Sequence, residues 1–461
     1  MKSFDEYTWP MKHGKKPFAH QKQTVEFLLR NKRSYILSDI GTGKTLCPLW
    51  MADILMHFGK IKKVLVITPL STLKVVWANE IFTHLPHRTY AIAHGSPDKR
   101  LAAIRSTVDF VLINHDGIKS MENEIIAEGF DIIVIDELTA YKNATADRSK
   151  AMQRISKKAR AVIGMTGAPT PNRPSEAFGQ AKVVNPDNPE LPRYFTQFVN
   201  KVEIEVAPYV WVARPDAANT VFKVLQPSVR FTRDQCLDIP PVFNVDVALE
   251  MSSDQLVAYK AVRDECLYEL ANDMITVDNA AVKFIKLLQI SAGSVKGDDG
   301  SIIHLNIDNK VNDILEQFEE SGRDKMIVVS AFRASVERLH QIFSAKGVKC
   351  SYIHGGINSN LRSNILGSFQ KGDLEILVVQ PQAVAHGVTL TACNNITWQS
   401  YVTSGETWVQ MNGRITRAGQ ERKQYVRRQF CSKAEEKLID MLDNKIHLSG
   451  AVLKMFESGD F

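Results

Sequence analysis

The sequence predicts an α/β protein with two parallel-sheet domains in tandem and a helical insertion between them. Three observations carry this reading. A short apolar strand, a glycine-rich loop and a helical apolar run follow one another between Ser34 and Phe58. Continuous apolar strands alternate with helical patterns on either side of that loop as far as Gly167, the pattern of a doubly covered parallel sheet. The same alternation returns after Asn306 and runs to Phe430, without a glycine-lysine loop of its own.

The chain has 461 residues, 44% of them hydrophobic and 23% charged, ordinary for globular domains that each bury a core. Boundaries fall at 1–232 for the first domain, 233–306 for a linker and helical insertion, and 307–461 for the second domain with a helical tail. The formal charge of +6 is compatible with an anionic partner without demanding one. No apolar run reaches the 18 residues of a membrane span, and the first residues show no apolar signal region. The 6 cysteines are scattered with no Cys-x-x-Cys pair, which speaks against a zinc site or a disulfide frame. His84 and His87 read as surface loop residues.

Taken in order, Phe18-Ala-His-Gln21 opens an amphipathic helix with Val25, Leu28 and Leu29 on its apolar face. Gln21 carries a donor and an acceptor and so can read an adenine edge, although a solvated helix glutamine has the same pattern. Tyr35-Ile-Leu37 is a buried strand leading into Gly41-Thr-Gly-Lys-Thr45. Glycines there let backbone N–H groups close around phosphates, Lys44 reaches the β/γ oxygens, and the Thr45 hydroxyl suits Mg²⁺. The residue opening the full Gly-x-x-x-x-Gly-Lys pattern is Ser38 rather than glycine.

Lys63–Thr68 is the next strand, ending in the polar turn Thr68-Pro69-Leu70-Ser71, with Trp77 and Glu80 on the helix beyond. Phe110–Asn114 ends at Asn114-His115, Phe130–Glu137 at two acids, and Arg160–Gly167 at Thr166. Polar strand ends on one edge are where parallel sheets bind ligands. Asp136 suits Mg²⁺ through its water shell, and Glu137 suits orienting or deprotonating an attacking water; a strand-end pair capping the next helix is the structural alternative. The basic stretch 146–160 reads either as a solvated face or as part of a nucleic-acid track.

From 171 to 250 prolines break the pattern and no elements are assigned. Helices follow between Ser252 and Ile290, then a turn at Lys296–Gly300. The second alternating region holds a helix at Val311–Phe318 and strands at Lys325–Ser330, Cys350–His354, Glu375–Val379, Asn395–Gln399 and Gln424–Phe430, with a helical tail over 433–456. Arg414 and Arg417, placed on a helix, project from one face and would stabilise phosphoryl-transfer charge as arginine fingers do; a pair of surface arginines is the alternative.

Taken together, these motifs resemble the superfamily 2 helicases and translocases, and within them the Snf2-like branch. Phe18–Gln21 looks like the adenine-reading glutamine motif, Gly41–Thr45 like motif I, and Thr68-Pro69 with Trp77 and Glu80 like motif Ia. Asp136–Asn143 resembles motif II, Thr166–Asn172 motif III, Gln380–Ala392 motif V, and Gln410–Gln420 motif VI. The resemblance implies two RecA-like lobes, with ATP and Mg²⁺ in the cleft between them. Gln21, Gly41, Thr42, Gly43, Lys44, Thr45 and Gln410 would hold ATP, Thr45 and Asp136 the metal, and Lys44, Asp136, Glu137, Arg414 and Arg417 the chemistry. It also implies DNA across both lobes, with contacts from Thr68, Pro69, Ser71, Asn114, Thr166, His354, Gly355 and Thr389.

There are departures. Val384 and Ala385 stand where motif V has paired glycines, the aromatic-Asn-Pro stretch before motif VI is absent, and motif II continues Leu138-Thr139. The compact form resembles stand-alone motors of bacteria or bacteriophages, working in the cytoplasm on duplex or branched DNA in replication, recombination or repair. An RNA helicase and the motor subunit of a nuclease or restriction system are the alternatives.

Overall fold

The computed structural model describes residues 7–10, 16–207, 210–236, 240–271, 277–297, 299–384, 390–417 and 419–443. The chain divides into two compact units near residue 238, each built on its own parallel sheet, as two RecA-like lobes require.

In the first unit, helix α1 (Ala19–Arg30) precedes β1 (Arg33–Ile36), and helix α2 (Leu46–His57) follows the glycine loop. The sheet continues with β2 (Val64–Thr68), β3 (Tyr90–Ala93), β4 (Phe110–Asn114), β5 (Ile132–Asp136) and β6 (Ala161–Met165). An antiparallel hairpin, β7 (Glu203–Ala207) and β8 (Val210–Ala213), stands apart from it, and β9 (Ser228–Val229) closes its edge. The order β3-β4-β2-β5-β6-β1-β9 is parallel throughout.

Both faces of this sheet are covered. Leu65, Ile67, Val111 and Ile133 point into one apolar cluster, while Val64, Val66, Leu112 and Val134 point into the other. That is why its strands read as unbroken apolar runs. Register aligns the strand ends: Thr68 lies opposite Asn114, and Asp136 opposite Met165 just before Thr166. The polar residues predicted at strand ends therefore share one edge.

Two strands of this sheet were not legible. β3 is half-buried and short, and β9 has only 2 residues, held because Tyr35 and Leu37 donate to the Pro227 and Val229 carbonyls. The 171–250 segment folds into helices Glu176–Val184, Phe195–Val202 and Ala217–Val224 around the hairpin, with a further strand at its end.

That strand, β10 (Val242–Ala248), opens the second unit, followed by helices Ser253–Ala271 and Val277–Ser291. The predicted turn at Lys296–Gly300 belongs to a small hairpin, β11 (Ser294–Lys296) and β12 (Ile302–His304). The helix expected over Val311–Phe318 is longer, Asp308–Glu320. The main sheet runs through β13 (Met326–Val329), β14 (Cys350–Ile353), β15 (Ile376–Val379), β16 (Asn395–Trp398) and β17 (Gln424–Phe430), in the order β10-β17-β16-β13-β15-β14. The C-terminal helix is described over 433–443, and the rest of the expected tail lies outside the described residues. No helix among the described residues is long and apolar enough to cross a membrane.

Candidate nucleotide site

The glycine loop joins β1 to α2, and its backbone explains its composition. Gly41 and Gly43 have φ of 92° and 74°, in the left-handed region that side chains disfavour. A Cβ on Gly43 would also lie 2.5 Å from the Gln21 amide nitrogen. Gln21 is buried and each end of its amide makes one hydrogen bond. Its Oε1 accepts from the Phe18 backbone N–H at 3.0 Å, and its Nε2 donates to the Gly43 carbonyl at 3.2 Å. His20 joins in, with Nε2 2.9 Å from the Thr42 carbonyl oxygen. The residue expected to read adenine is thus placed as a brace between α1 and the phosphate loop.

Beside this brace lies a cavity of about 460 Å³ lined by Phe18, His20, Gln23, Arg230, Phe231 and Gln235, among others. Its size falls within the range of small-molecule pockets. The wall contributed by Arg230 and Phe231 follows β9. Asp39 N–H donates to the Phe231 carbonyl at 3.0 Å, and Arg230 pairs with Asp39 at 2.9 Å. Sequence reasoning missed these residues, since they lie in the segment where no element was assigned. Their one local signal is an arginine-aromatic pair beside a short β-compatible run.

Lys44 donates from Nζ to the Ser38 carbonyl at 2.6 Å. A Cβ on Gly167 would lie 3.3 Å from that same Nζ, so the loop after β6 packs directly on the phosphate loop. The acids meet this point from β5. Glu137 has φ of 58°, a strained backbone position for a non-glycine residue. Its Oε1 accepts from Thr139 Oγ1 at 3.1 Å and Thr166 Oγ1 at 3.4 Å. Burial and then the Asp136 charge raise the Glu137 pKa, with Lys44 and the two threonines opposing.

Asp136 Oδ2 accepts from Trp77 Nε1 at 2.8 Å and from Thr68 Oγ1 at 3.1 Å. Its other oxygen makes no hydrogen bond among the described residues, and neither does the Thr45 hydroxyl at the start of α2. Two hard oxygen donors left open in this way suit a magnesium ion.

In the second unit the helix Gly405–Asn412 ends before the arginines. Arg414 and Arg417 therefore lie in the turn after it, not on one helical face. Arg414 is buried, with Nε donating to the Gln410 carbonyl at 3.0 Å. Arg417 Nε donates to the Gly413 carbonyl at 3.4 Å, and burial pushes its pKa down to about 10. The Gln410 amide donates to Glu406 Oε1 at 3.2 Å. Gln420 ties the turn to the loop before β16, its Nε2 donating to the Cys393 carbonyl at 2.8 Å.

The residues expected to touch DNA divide by exposure. Thr68, Asn114, Thr166 and His354 are buried, whereas Pro69, Ser71 and Gly355 reach the surface. His354 is held by Glu337, 3.1 Å from its Nε2, and by the Gly356 N–H, which donates to its Nδ1. Thr389 lies outside the described residues. On the basic stretch 146–160, Arg148 pairs with Asp116 and Arg154 with Glu122. His84 and His87 pair with Glu80 and Asp53, and no cluster of three or more His, Cys, Asp or Glu side chains placed to hold a metal occurs among the described residues.

The model of the SNF2-related domain matches residues 20–296, more than half of the chain, and that of the helicase conserved C-terminal domain matches 309–419. Putative protein p41 of Acyrthosiphon pisum secondary endosymbiont phage 1 is 27% identical over 406 residues, covering 82% of this chain and 84% of that protein. The SWI/SNF-related matrix-associated actin-dependent regulator of chromatin subfamily A-like protein 1 of Xenopus tropicalis is 22% identical, covering 89% of this chain and 42% of its own length. The human DNA annealing helicase and endonuclease ZRANB3 is 22% identical, with 82% and 34% covered. The chain thus spans less than half of these two longer relatives. Among solved structures, the Sulfolobus solfataricus SWI2/SNF2 ATPase core in complex with dsDNA aligns over 98% of this chain and 96% of that one, at 19% identity and a TM-score of 0.46.

Proposed function

Since the chain belongs to the SNF2-related family and carries helicase-type ATPase domains, we propose that it is a DNA-dependent ATPase that moves on duplex or branched DNA. The observation that carries this reading is the convergence of Lys44, Glu137 and Asp136 on one edge of the first sheet. A nucleobase fits the cavity between Phe18 and Phe231, with Gln23, Gln235 and Arg230 able to meet its edge. The glycine loop cradles the phosphates and Lys44 neutralises them.

Thr45 and Asp136 are the residues that would hold Mg²⁺, which offsets the charge of the β and γ oxygens when bound. Glu137, fixed by Thr139 and Thr166, orients the attacking water and takes its proton; its raised pKa favours that uptake. Arg414 and Arg417 supply cations for the transferring phosphoryl group. Pro69, Ser71 and Gly355 are the surface positions assigned to the DNA backbone, and a sequence-independent grip fits contacts of that kind.

The decisive experiment is ATP turnover against a panel of duplex, forked, four-way-junction and single-stranded DNA and RNA, with Lys44→Ala as control. Stimulation by duplex or branched DNA, lost in the variant, is expected. Stimulation by RNA alone would replace this reading with an RNA helicase, and turnover surviving in the Lys44→Ala protein would remove the assignment of the site.

A further inference from the structure

Trp77 is fully buried, yet it is more than core. Its indole N–H donates to Asp136 Oδ2 at 2.8 Å, the oxygen that also accepts from Thr68. A buried indole N–H needs an acceptor, and a carboxylate makes that bond strong. Packing of the ring in the apolar cluster with Leu73, Ala78 and Ile81 requires only its hydrocarbon. The polar atom is spent on the acid left with one oxygen open.

Trp77 sits in an unusual piece of backbone. Residues Leu73–Ala78 form a π-helical stretch between the single turn Leu70–Thr72 and the helix Asn79–His84. Such stretches hold one residue more per turn than an α-helix and recur at functional sites. The turn and the stretch together face two surroundings. Leu73 and Trp77 are buried, whereas Ser71, Lys74 and Val75 are exposed, Val75 by 57%. A second link runs from the same segment, since Thr72 Oγ1 lies 2.6 Å from Thr68 Oγ1 and Thr68 donates to Asp136. One short segment therefore grips Asp136 from inside and presents a cation and a hydroxyl outside.

We propose that Trp77 is a positioning residue for ATP hydrolysis, and that the π-helical stretch carrying it couples DNA bound over Ser71 and Lys74 to metal binding at Asp136. This rests on the DNA-dependent ATPase reading above. Contact on the outer side shifts a segment whose inner side holds the carboxylate directly through Trp77 and indirectly through Thr72, which meets Thr68 of β2, so DNA alters how well Asp136 takes the metal.

The test uses the full chain and Trp77→Phe, which keeps an aromatic ring and deletes the donor. The main readout is Mn²⁺ binding to the protein–ADP complex, followed by electron paramagnetic resonance with and without duplex DNA; steady-state turnover gives a kcat-against-KM split. In the unaltered protein, DNA is expected to lower the Mn²⁺ midpoint. In Trp77→Phe the midpoint should rise roughly tenfold, the scale of a lost hydrogen bond to a charged group, and no longer respond to DNA. kcat should fall with the KM for ATP little changed.

A folded Trp77→Phe protein whose midpoint matches the unaltered one, with and without DNA, overturns the proposal. If that variant does not fold, Thr68→Val, which removes the other donor to the same oxygen, decides it. A raised midpoint supports the link through this segment, and an unchanged one overturns it. Failure of DNA to stimulate ATP turnover in the unaltered protein would instead sink the DNA-dependent reading. The midpoint shift in Trp77→Phe without DNA would still test the positioning role separately.

Discussion

At Gly43 two constraints coincide, a φ of 74° and a neighbour 2.5 Å from where a Cβ would stand. Gly43→Ala is expected to push Gln21 off its brace and abolish nucleotide binding, measured by calorimetry with ADP, while the melting curve shows the fold retained. Glu137 should behave in the opposite way. Its Oε1 accepts from Thr139 and Thr166, so Glu137→Gln keeps those contacts while removing the carboxylate proposed as the base. ATP should bind as before and kcat should fall about 10²–10⁴-fold. An equal loss of binding would move Glu137 from catalysis to structure.

At the scale of elements, the first unit is pinned by one buried acid. Asp53 on α2 accepts from Arg88 Nε at 2.6 Å, lies 2.8 Å from His87 Nε2, and accepts from the Tyr7 hydroxyl. This ties α2 to the loop before β3 and to the N-terminal segment, where Trp9 packs edge-on against Trp50. Burial pushes the Asp53 pKa up, but the hydrogen bonds from Tyr7, His87 and Arg88 outweigh it, and the net shift is below the ordinary 3.8. A depressed carboxylate pKa contributes stability above the unfolded value and loses it as pH falls through the folded value. The advantage of the native protein over Asp53→Asn should therefore be about 1–3 kcal/mol at neutral pH and shrink in acid below 3.8, read from urea midpoints.

The elements also show where sequence reading fails. β2, β4, β5 and β6 were legible because both faces of each are buried, leaving no polar residue to break the run. β10 was missed because it lies at a sheet edge, with alternating partial exposure and a proline pair before it. Arg414 and Arg417 were placed on a helix by their spacing, but Gly413 follows the last helical residue and the chain turns there.

For the molecule as a whole, the residues proposed for the chemistry fall in both units, Lys44, Asp136 and Glu137 in the first and Arg414 and Arg417 in the second. Arg417→Ala should leave ADP binding by the first unit near normal and lower kcat by about 10³–10⁵, the usual worth of an arginine finger. A parallel loss of ADP affinity would count against that division. DNA binding should weaken linearly in log–log form with added salt, with a slope of about −0.9 per phosphate contact. A salt-independent affinity would point away from backbone recognition.

The sequence by itself determined the phosphate loop, the acid pair and the tandem sheets. Each is set by local constraint: glycine where φ is positive, lysine and threonine beside it, and apolar runs where strands are covered on both faces. Only the tertiary structure decided which side chains those parts meet. It placed Gln21 as a brace for the loop and brought Arg230 and Phe231 to the cavity wall through β9. It also put the Trp77 indole on Asp136. Such contacts join residues far apart in the chain, and no local pattern encodes a partner that only strand order brings near.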